Sequence, residues 1–470
     1  MNVNMKRLIT ICYLLSVTYS LLSAVRTSYG AVEGVHQDGV MCYLGIPYAQ
    51  PPLGELAGRY PVAPTPWDTV LIADHGRQNE VQQHNRFSTS NMSQDCLYMN
   101  VFVPDSLPEA CPVMVWIHGG AYNTGGTGVW SSGHLRFDMS AFARETQTIV
   151  VTFNYRLNVF GYLNLHALNP RFDANIGTAD QLFALQFVHE QIAAFGGDST
   201  RICLFGQSAG GASVLTLMSL PEAQGLFARA IAMSPCLSHC YTPAESEQRT
   251  ARFLRCAAVG KQHAERVLTL SNKRLANTGR RFVAQTALSG DVRCAFGPWV
   301  DGELIREMPA VGAARCTRPL LIGQVRDEAR LFTNMVPKGL YRSCATTIRR
   351  YAADNGLPPF AVEEGNDPYW VRFNRSLTDY MFGSAIRSFV ADYQGPVSQY
   401  LYAYETPQMQ DAQTGCYHSA DLQVVFGWTT KYNDPLSADS RRVSSQVRQL
   451  FRRFAYGELD KGQQEINVIR

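Results

Sequence analysis

The chain has 470 residues, of which 46% are hydrophobic and 17% are charged, and its formal net charge is +3. This composition is typical of a globular protein with a large core, and it excludes a disordered or fibrous chain. A charge this close to neutral, without a basic segment interleaved with aromatic residues, argues against nucleic acid as a partner.

The chain begins with a segment that is typical of secreted proteins. Two basic residues precede an apolar run over residues 8–22, and two small residues follow it. This order predicts a signal peptide over residues 1–24, and no later stretch is long and apolar enough to span a membrane. We therefore expect a secreted or lumenal protein. The glycosylation sequons at Asn91 and Asn374 agree with that expectation.

Short apolar runs alternate with longer amphipathic stretches through the rest of the chain. The clearest runs are residues 113–117, 148–154, 201–205, 320–323 and 399–404. Each run is nearly continuous, as strands buried on both faces are. Helical spacing of apolar residues predicts a crossover helix over 178–194 and a second helix over 441–453. The pattern predicts an α/β fold, a large and mostly parallel central sheet flanked by helices, with functional groups at the carboxyl ends of the strands. The polar segment 236–315 is predicted to form an irregular cap.

Twelve cysteines are spread along the chain, and Cys12 lies inside the predicted signal peptide. The remaining cysteines are odd in number, so at least one of them is unpaired in a monomer. Cys236, His239 and Cys240 are close in sequence, but a structural zinc site needs four ligands. The sequence therefore predicts neither a metal nor a cofactor.

A nucleophile motif follows the predicted strand at residues 201–205. Its sequence, Gly-Gln-Ser-Ala-Gly at residues 206–210, matches GxSxG, and a helix-forming run comes next. A serine between a strand and a helix is forced into a strained, exposed turn, and the flanking glycines let the two elements pass closely. We therefore predict Ser208 to be a nucleophile.

A second motif, His-Gly-Gly-Ala at residues 118–121, follows the strand at residues 113–117. Small residues allow backbone N–H groups to face the negative oxygen of a tetrahedral intermediate. The predicted oxyanion hole is formed by Gly119, Gly120, Ala121 and Ala209. His118 precedes the serine, and we interpret it as a support for this loop.

Chain order restricts the remaining groups, because proteins with this motif present Ser, then Asp or Glu, then His. Of the histidines that follow Ser208, only His418 lies beyond a strand late enough to be the last in the sheet. The acid is then expected after the strand at residues 320–323, where Asp327 and Glu328 are adjacent. Spacing alone leaves both carboxylates open.

Segments along most of the chain match one protein family in the same order. They are residues 45–52, 94–100, 118–121, 154–156, 194–198, 206–210, 327–328 and 415–418. In this combination the chain resembles the type-B carboxylesterases, the family that includes the cholinesterases. The resemblance implies an α/β-hydrolase fold with a long mixed sheet, selects Glu328 over Asp327, and supports His418. It also implies hydrolysis of small-molecule carboxylic esters through an acyl-enzyme.

The chain departs from this family at several positions. Gln207 replaces the usual glutamate, as in the juvenile-hormone esterases, and no tryptophan lies between Asp68 and Cys96. That tryptophan binds the quaternary ammonium in cholinesterases, so choline esters are poor candidates. By the same resemblance, residues 25–470 form one catalytic domain that is shortened at its C-terminal end.

Two classes of function follow from this sequence. The first is a serine carboxylesterase that uses Ser208, Glu328 and His418. The second is a catalytically silent relative that acts in adhesion or ligand binding. Silent members typically lose the nucleophile, so the complete set of residues favours the enzyme. Amidase, thioesterase or lipase activity would use the same groups, and the sequence does not indicate an oligomeric state.

Overall fold

The computed structural model of the protein describes residues 24–82, 92–128, 135, 137–427, 437–462 and 467–470. Residues 1–23 of the predicted signal peptide and Asn91 of the first sequon lie outside the described residues. Among the described residues, no helix has the length and apolar character needed to cross a membrane.

The strands alternate with helices along much of the chain. The strands are β1 (Val25–Thr27), β2 (Gly30–Gln37), β3 (Val40–Pro47), β4 (Leu71–Ala73), β5 (Asn79–Glu80), β6 (Met92–Ser93), β7 (Tyr98–Pro104), β8 (Cys111–Ile117), β9 (Ile149–Phe153), β10 (Gly197–Gln207), β11 (Arg229–Met233), β12 (Leu320–Val325), β13 (Val397–Tyr402) and β14 (Asn467–Ile469). The helices are α1 (Ser140–Thr146), α2 (Asn158–Gly161), α3 (Ile176–Gln191), α4 (Ala209–Ser219), α5 (Pro243–Ala257), α6 (Asn272–Leu288), α7 (Pro309–Ala314), α8 (Arg330–Thr333), α9 (Tyr341–Asp354), α10 (Tyr369–Thr378), α11 (Ser384–Asp392), α12 (Pro407–Asp411), α13 (Ala420–Phe426) and α14 (Ala438–Ala455).

A large sheet runs through the described part of the chain and contains 12 strands. Their order is β1-β2-β3-β7-β9-β8-β10-β11-β12-β13-β14, and β4 pairs with β2. From β9 to β14 every pair is parallel, whereas the pairs that link β1, β2, β3, β7 and β9 are antiparallel. The prediction of a large, mostly parallel sheet flanked by helices is therefore confirmed.

The central strands are apolar on both faces because each face is covered by helices. Val115 and Leu204 point into one buried layer, which also contains Leu185 of α3. Trp116 and Phe205 point into the opposite layer, and their ring centroids lie 4.9 Å apart. The near-continuous apolar runs in the sequence follow directly from this double burial.

The segment predicted to be irregular is largely helical. It contains α5, a 3-10 segment over Lys261–Thr269, and α6. Thr242 begins α5 with a capping box, in which its side chain accepts a hydrogen bond from the Glu245 N–H while the Glu245 side chain accepts one from the Thr242 N–H. The Thr-x-x-Glu pattern is a sequence signal for a helix start, so this part of the prediction was wrong for a recognisable reason.

A buried ion pair connects the segment after β9 to α3. Arg156 donates from Nε to Asp180 Oδ2 at 2.8 Å and from Nη2 to Oδ1 at 2.6 Å, and both side chains are buried. Two parallel hydrogen bonds fix the geometry of such a pair. Loss of one partner would leave the other charge buried without compensation.

Replacement of Arg156 by methionine is expected to lower the free energy of unfolding by about 3–5 kcal/mol, because Asp180 would stay buried without its cation. Chemical unfolding followed by tryptophan fluorescence measures this difference. The control is Arg306→Met, which breaks a half-exposed pair with Glu222 and should cost less than about 1 kcal/mol. Equal effects of the two substitutions would contradict the assignment.

Candidate active site

Ser208 occupies a sharp turn between β10 and α4. Its backbone has φ 61° and ψ −123°, outside the conformations that a serine ordinarily adopts. A Cβ at Gly210 would lie 2.0 Å from the carbonyl oxygen of Ile117, so only glycine lets α4 pass this close to β8. The turn therefore holds the serine hydroxyl at the carboxyl end of the sheet, as the GxSxG motif predicts.

The structure brings Ser208, His418 and Glu328 together. Ser208 Oγ lies 2.8 Å from His418 Nε2, and His418 Nδ1 lies 2.5 Å from Glu328 Oε2. The other carboxylate oxygen of Glu328 accepts a hydrogen bond from the Val325 N–H at 2.9 Å. All three side chains are buried, which strengthens these polar contacts.

Asp327, the carboxylate that spacing left open, faces away from His418. Its Oδ2 lies 2.8 Å from Arg326 Nη2 and accepts a hydrogen bond from the Cys416 N–H at 3.0 Å. Asp327 thus ties the loop after β12 to the histidine loop. The neighbouring Glu328 is the carboxylate that orients the imidazole.

The environment of His418 favours its protonated form. Burial by itself lowers the pKa of the imidazole, but the charge and hydrogen bond of Glu328 outweigh it and hold the pKa above the ordinary value. Phe382 and Phe332 cover the ring, with centroid distances of 5.0 and 5.7 Å. Gln207 Nε2 lies 3.3 Å from His418 Nε2, where a glutamate would place a second negative charge.

The glycine-rich loop after β8 lies directly against the serine. A Cβ at Gly119 would come within 3.1 Å of Ser208 Cβ, and Gly120 has φ 117°. Ala121 also has a positive φ, 57°, and Ala209 is the first residue of α4. The structure therefore places the backbone of Gly119 and Ala209 beside the serine, and Gly120 and Ala121 follow Gly119 in the same loop.

Side chains from distant segments hold this loop in place. Tyr155 donates a hydrogen bond to the His118 carbonyl at 2.8 Å, and its ring stacks on the imidazole at 4.3 Å. The Glu80 carboxylate lies 3.3 Å from His118 Nε2, and Gln82 bonds both backbone groups of Gly125. The interpretation of His118 as a support fits these contacts. The roles of Glu80 and Gln82 were missed, because no motif marks them.

Asp421 is a second buried carboxylate beside the site, in the first turn of α13. No described residue donates a hydrogen bond to its Oδ1. Burial, followed by the charge of Glu328, raises the pKa of Asp421 from its ordinary value of 3.8 to about 7. Folding therefore keeps a proton on this carboxyl at pH values where the unfolded chain has lost it.

Asp421→Asn is expected to stabilise the protein increasingly as the pH rises from about 4 to about 7. Over this range the unfolded carboxyl ionises and the folded one does not, so the parent loses stability, by roughly 4 kcal/mol at most above pH 7. Asparagine carries no such cost. Unfolding free energies of both proteins between about pH 5 and pH 8 measure the effect. Asp439→Asn, at an exposed position, is the control, and a pH-independent difference for Asp421→Asn would refute the prediction.

In the cysteine and histidine group at residues 236–240, Cys240 does not join Cys236 and His239. His239 Nδ1 lies 2.8 Å from Cys294 Sγ, a residue far along the chain, and the Cys240 thiol contacts the Tyr241 carbonyl instead. Within the described ranges, no set of three or more Cys, His, Asp or Glu side chains is arranged to hold a metal ion.

Comparisons with known proteins agree on one family. A sequence model of the Carboxylesterase family matches residues 22–359. The para-nitrobenzyl esterase of Bacillus subtilis (strain 168) is 33% identical over 416 residues, which cover 86% of this chain and 82% of the relative. The cholinesterase of Mus musculus is 33% identical over 358 residues, 71% of this chain and 58% of the relative. The carboxylesterase EST55 of Geobacillus stearothermophilus superposes with a TM-score of 0.77 at 30% identity, covering 94% of this chain and 92% of that chain.

The mostly parallel sheet, with a serine in a strained turn after β10, defines an α/β-hydrolase. The matched segment exceeds half of the chain, and the bacterial relative is matched over most of its length. The chain belongs to the carboxylesterase family. The prediction of a carboxylic ester hydrolase is thereby confirmed at the level of reaction class.

Proposed function

We propose that this protein hydrolyses carboxylic esters through an acyl-enzyme formed on Ser208, with His418 as general base and acid and Glu328 as the group that orients it. The observation that carries the proposal is the buried, continuous line of hydrogen bonds from Glu328 Oε2 to His418 and on to Ser208 Oγ, with distances of 2.5 and 2.8 Å. The same continuity supports an enzyme over a catalytically silent binding protein, which needs no aligned proton path.

In the proposed reaction, Ser208 Oγ attacks the ester carbonyl while His418 Nε2 takes the hydroxyl proton. The carbonyl oxygen becomes negative, and N–H groups of Gly119, Gly120, Ala121 and Ala209 are proposed to stabilise it. His418 then returns the proton to the leaving alkoxide, which departs as an alcohol. Water repeats the sequence on the acyl-enzyme and releases the acid.

Small uncharged esters are the proposed substrates. The name of the bacterial relative, para-nitrobenzyl esterase, supports this class, and the chain matches most of that protein's length. The absence of a tryptophan over residues 69–95 of the sequence argues against choline esters.

We also propose that the protein is secreted, on the basis of the signal-peptide pattern in residues 1–24. The test is to express the chain with a C-terminal tag and to look in the culture medium for a product shortened by cleavage of that segment.

The function is tested with a series of p-nitrophenyl esters of increasing acyl length, together with a fluorophosphonate that reacts with activated serines. Turnover and a single phosphonyl adduct on the Ser208 peptide are expected. A folded protein that neither turns over any ester nor acquires the adduct would overturn the proposal and favour the silent binding protein. A choline ester tested in parallel should be a poor substrate.

Gln207→Glu is expected to shift the acidic limb of the pH profile of kcat/KM to higher pH. The base form of His418 is the neutral imidazole, so activity rises as this group loses its proton. A carboxylate 3.3 Å from His418 Nε2 would stabilise the imidazolium and raise its pKa further. Initial rates across the profile measure the shift, with Gln207→Met as the uncharged control. An unchanged or lowered midpoint in Gln207→Glu would contradict the reasoning.

A further inference from the structure

Three side chains that the proposed reaction does not use form a cluster beside Ser208. Cys236 Sγ lies 3.8 Å from Ser208 Oγ, and the Cys294 thiol is close enough to Cys236 to be the largest influence on its pKa. His239 Nδ1 lies 2.8 Å from Cys294 Sγ on the other side. The two thiols and the imidazole therefore form one group beside the serine hydroxyl.

The fold brings these groups together from distant parts of the chain. Cys236 and His239 lie in the loop after β11, the strand next to β10 in the sheet, and Cys294 lies in the segment after α6. The Tyr241 hydroxyl and Arg249 Nη1 both donate to the Cys294 carbonyl, which fixes that segment against the cluster. The fold, rather than proximity in the sequence, thus makes the two thiols neighbours.

Cys236 is buried and Cys294 is partly exposed, and both thiols are electrostatically unlike the cysteines of the core. The hydrogen bond with Cys294 is the largest influence on the Cys236 thiol, and with His239 nearby it holds the pKa of Cys236 well below the ordinary value despite burial. The same contact raises the pKa of Cys294, which keeps its proton. By contrast, burial raises the pKa of Cys203 to about 12. Because Cys236 is also the thiol that lies beside the serine hydroxyl, it is the thiol of the pair that a molecule at Ser208 meets.

Cys236 is reachable by the same route as the substrate. Although both side chains are nearly buried, an ester must approach Ser208 Oγ closely to react, and the Cys236 sulfur is 3.8 Å from that atom. A small reagent that enters as far as the serine thus meets the thiol. A substituent carried by Cys236 would occupy space that the substrate needs.

We propose that Cys236 and Cys294 form a thiol–disulfide exchange site that reacts with small neutral disulfides, Cys236 attacking and Cys294 resolving. Cys236 sulfur forms a bond to one sulfur of the disulfide, whose S–S bond breaks, and the other half leaves as a thiolate. Cys294 then loses its proton to that leaving group and attacks the Cys236 sulfur, expelling the second half as a thiolate that takes a proton from water. The two cysteines are oxidised to one disulfide, and the reagent is reduced to two thiols.

The effect on ester hydrolysis rests on the proposed function of Ser208, whereas the exchange reaction itself does not. In the parent protein the resolving step removes the foreign substituent from the site. Without Cys294 the mixed disulfide on Cys236 persists, so a Cys294→Ser protein exposed to the reagent should lose most of its esterase activity. Reduction should restore that activity in full.

The test treats the folded parent, Cys294→Ser and Cys236→Ser with bis(2-hydroxyethyl) disulfide and follows peptide masses and p-nitrophenyl ester hydrolysis. Expected are a Cys236–Cys294 disulfide in the parent, one hydroxyethylthio adduct on Cys236 in Cys294→Ser, and neither product in Cys236→Ser. Peptide mapping separates these sites from the partly exposed Cys256 and Cys344.

Free Cys236 and Cys294 thiols in the treated parent would overturn the proposal, as would equal loss of activity in Cys236→Ser and Cys294→Ser. The peptide masses report the exchange reaction even if no ester is hydrolysed, so failure of the exchange site and failure of the esterase proposal are distinguishable. Circular dichroism and fluorophosphonate labelling before treatment establish that each variant is folded with an intact serine site.

Discussion

Ser208→Ala is expected to lower kcat for p-nitrophenyl esters by about a millionfold, to a level set by binding and backbone contacts alone. The Ser208 hydroxyl is the group that would form the acyl-enzyme, and its oxygen lies 2.8 Å from His418 Nε2. Among the described residues, no other nucleophile is hydrogen-bonded to His418 Nε2. Steady-state rates and fluorophosphonate labelling of the purified protein measure the loss. The variant should unfold at nearly the same denaturant concentration as the parent.

A matched control for this substitution lies farther along α4. Ser213→Ala removes a buried hydroxyl that accepts a hydrogen bond from Gln181 at 3.0 Å, without touching His418. We expect Ser213→Ala to cost about 1 kcal/mol of stability and to leave kcat nearly unchanged. If Ser208→Ala retained the parent's kcat, or if Ser213→Ala were equally inactive, Ser208 would not be the nucleophile.

Glu328→Gln is expected to lower kcat by about ten-thousandfold while the protein stays folded. The carboxylate accepts a hydrogen bond from His418 Nδ1 and so leaves Nε2 free to accept the serine proton. A glutamine amide placed there can donate to Nδ1, which reverses the tautomer and puts a proton on Nε2. Steady-state kinetics with the same esters measures the effect.

The adjacent carboxylate provides the comparison for Glu328. Asp327→Asn would weaken contacts to Arg326 and the Cys416 N–H but leaves the imidazole contact intact, so we expect at most about a tenfold loss. A larger loss of kcat in Asp327→Asn than in Glu328→Gln would show that Asp327, and not Glu328, is the carboxylate that assists His418. The pair thereby tests the one choice that spacing in the sequence left open.

The parts of the fold that local pattern determines could be predicted from the sequence. The strands β8, β9, β10 and β12 contain short apolar runs because both their faces are buried there, β13 alternates between buried and partly buried residues, and α3 carries helical spacing. The antiparallel half of the sheet could not be derived in this way, since strand pairing depends on partners far along the chain. Only the family resemblance indicated a mixed sheet.

The residues of the site also separate into those that a local motif predicts and those that depend on contacts between distant segments. Ser208 and the loop at residues 118–121 carry motifs, because their backbone geometry demands particular residues. Glu80 and Cys294 carry none, since their roles arise from contacts made across the fold.

The sequon at Asn374 is a motif without the structure that it needs, because a three-residue pattern does not determine whether the asparagine is exposed. Its amide is buried in α10, accepts a hydrogen bond from the Thr333 hydroxyl and donates one to the Trp370 carbonyl. It is therefore a poor acceptor for a glycan.

The parallel part of the sheet has a consequence for how this protein can be altered. The loops that carry Ser208, Glu328 and His418 follow β10, β12 and β13, so the spacing of these three side chains depends on the spacing of the strands. The long helical segments between these strands, α5 and α6 among them, do not set that spacing. Their inward residues, Phe253 and Phe282 among them, belong to the core, so we expect the outward-facing residues of these helices to tolerate substitution without disturbing the geometry of the three groups.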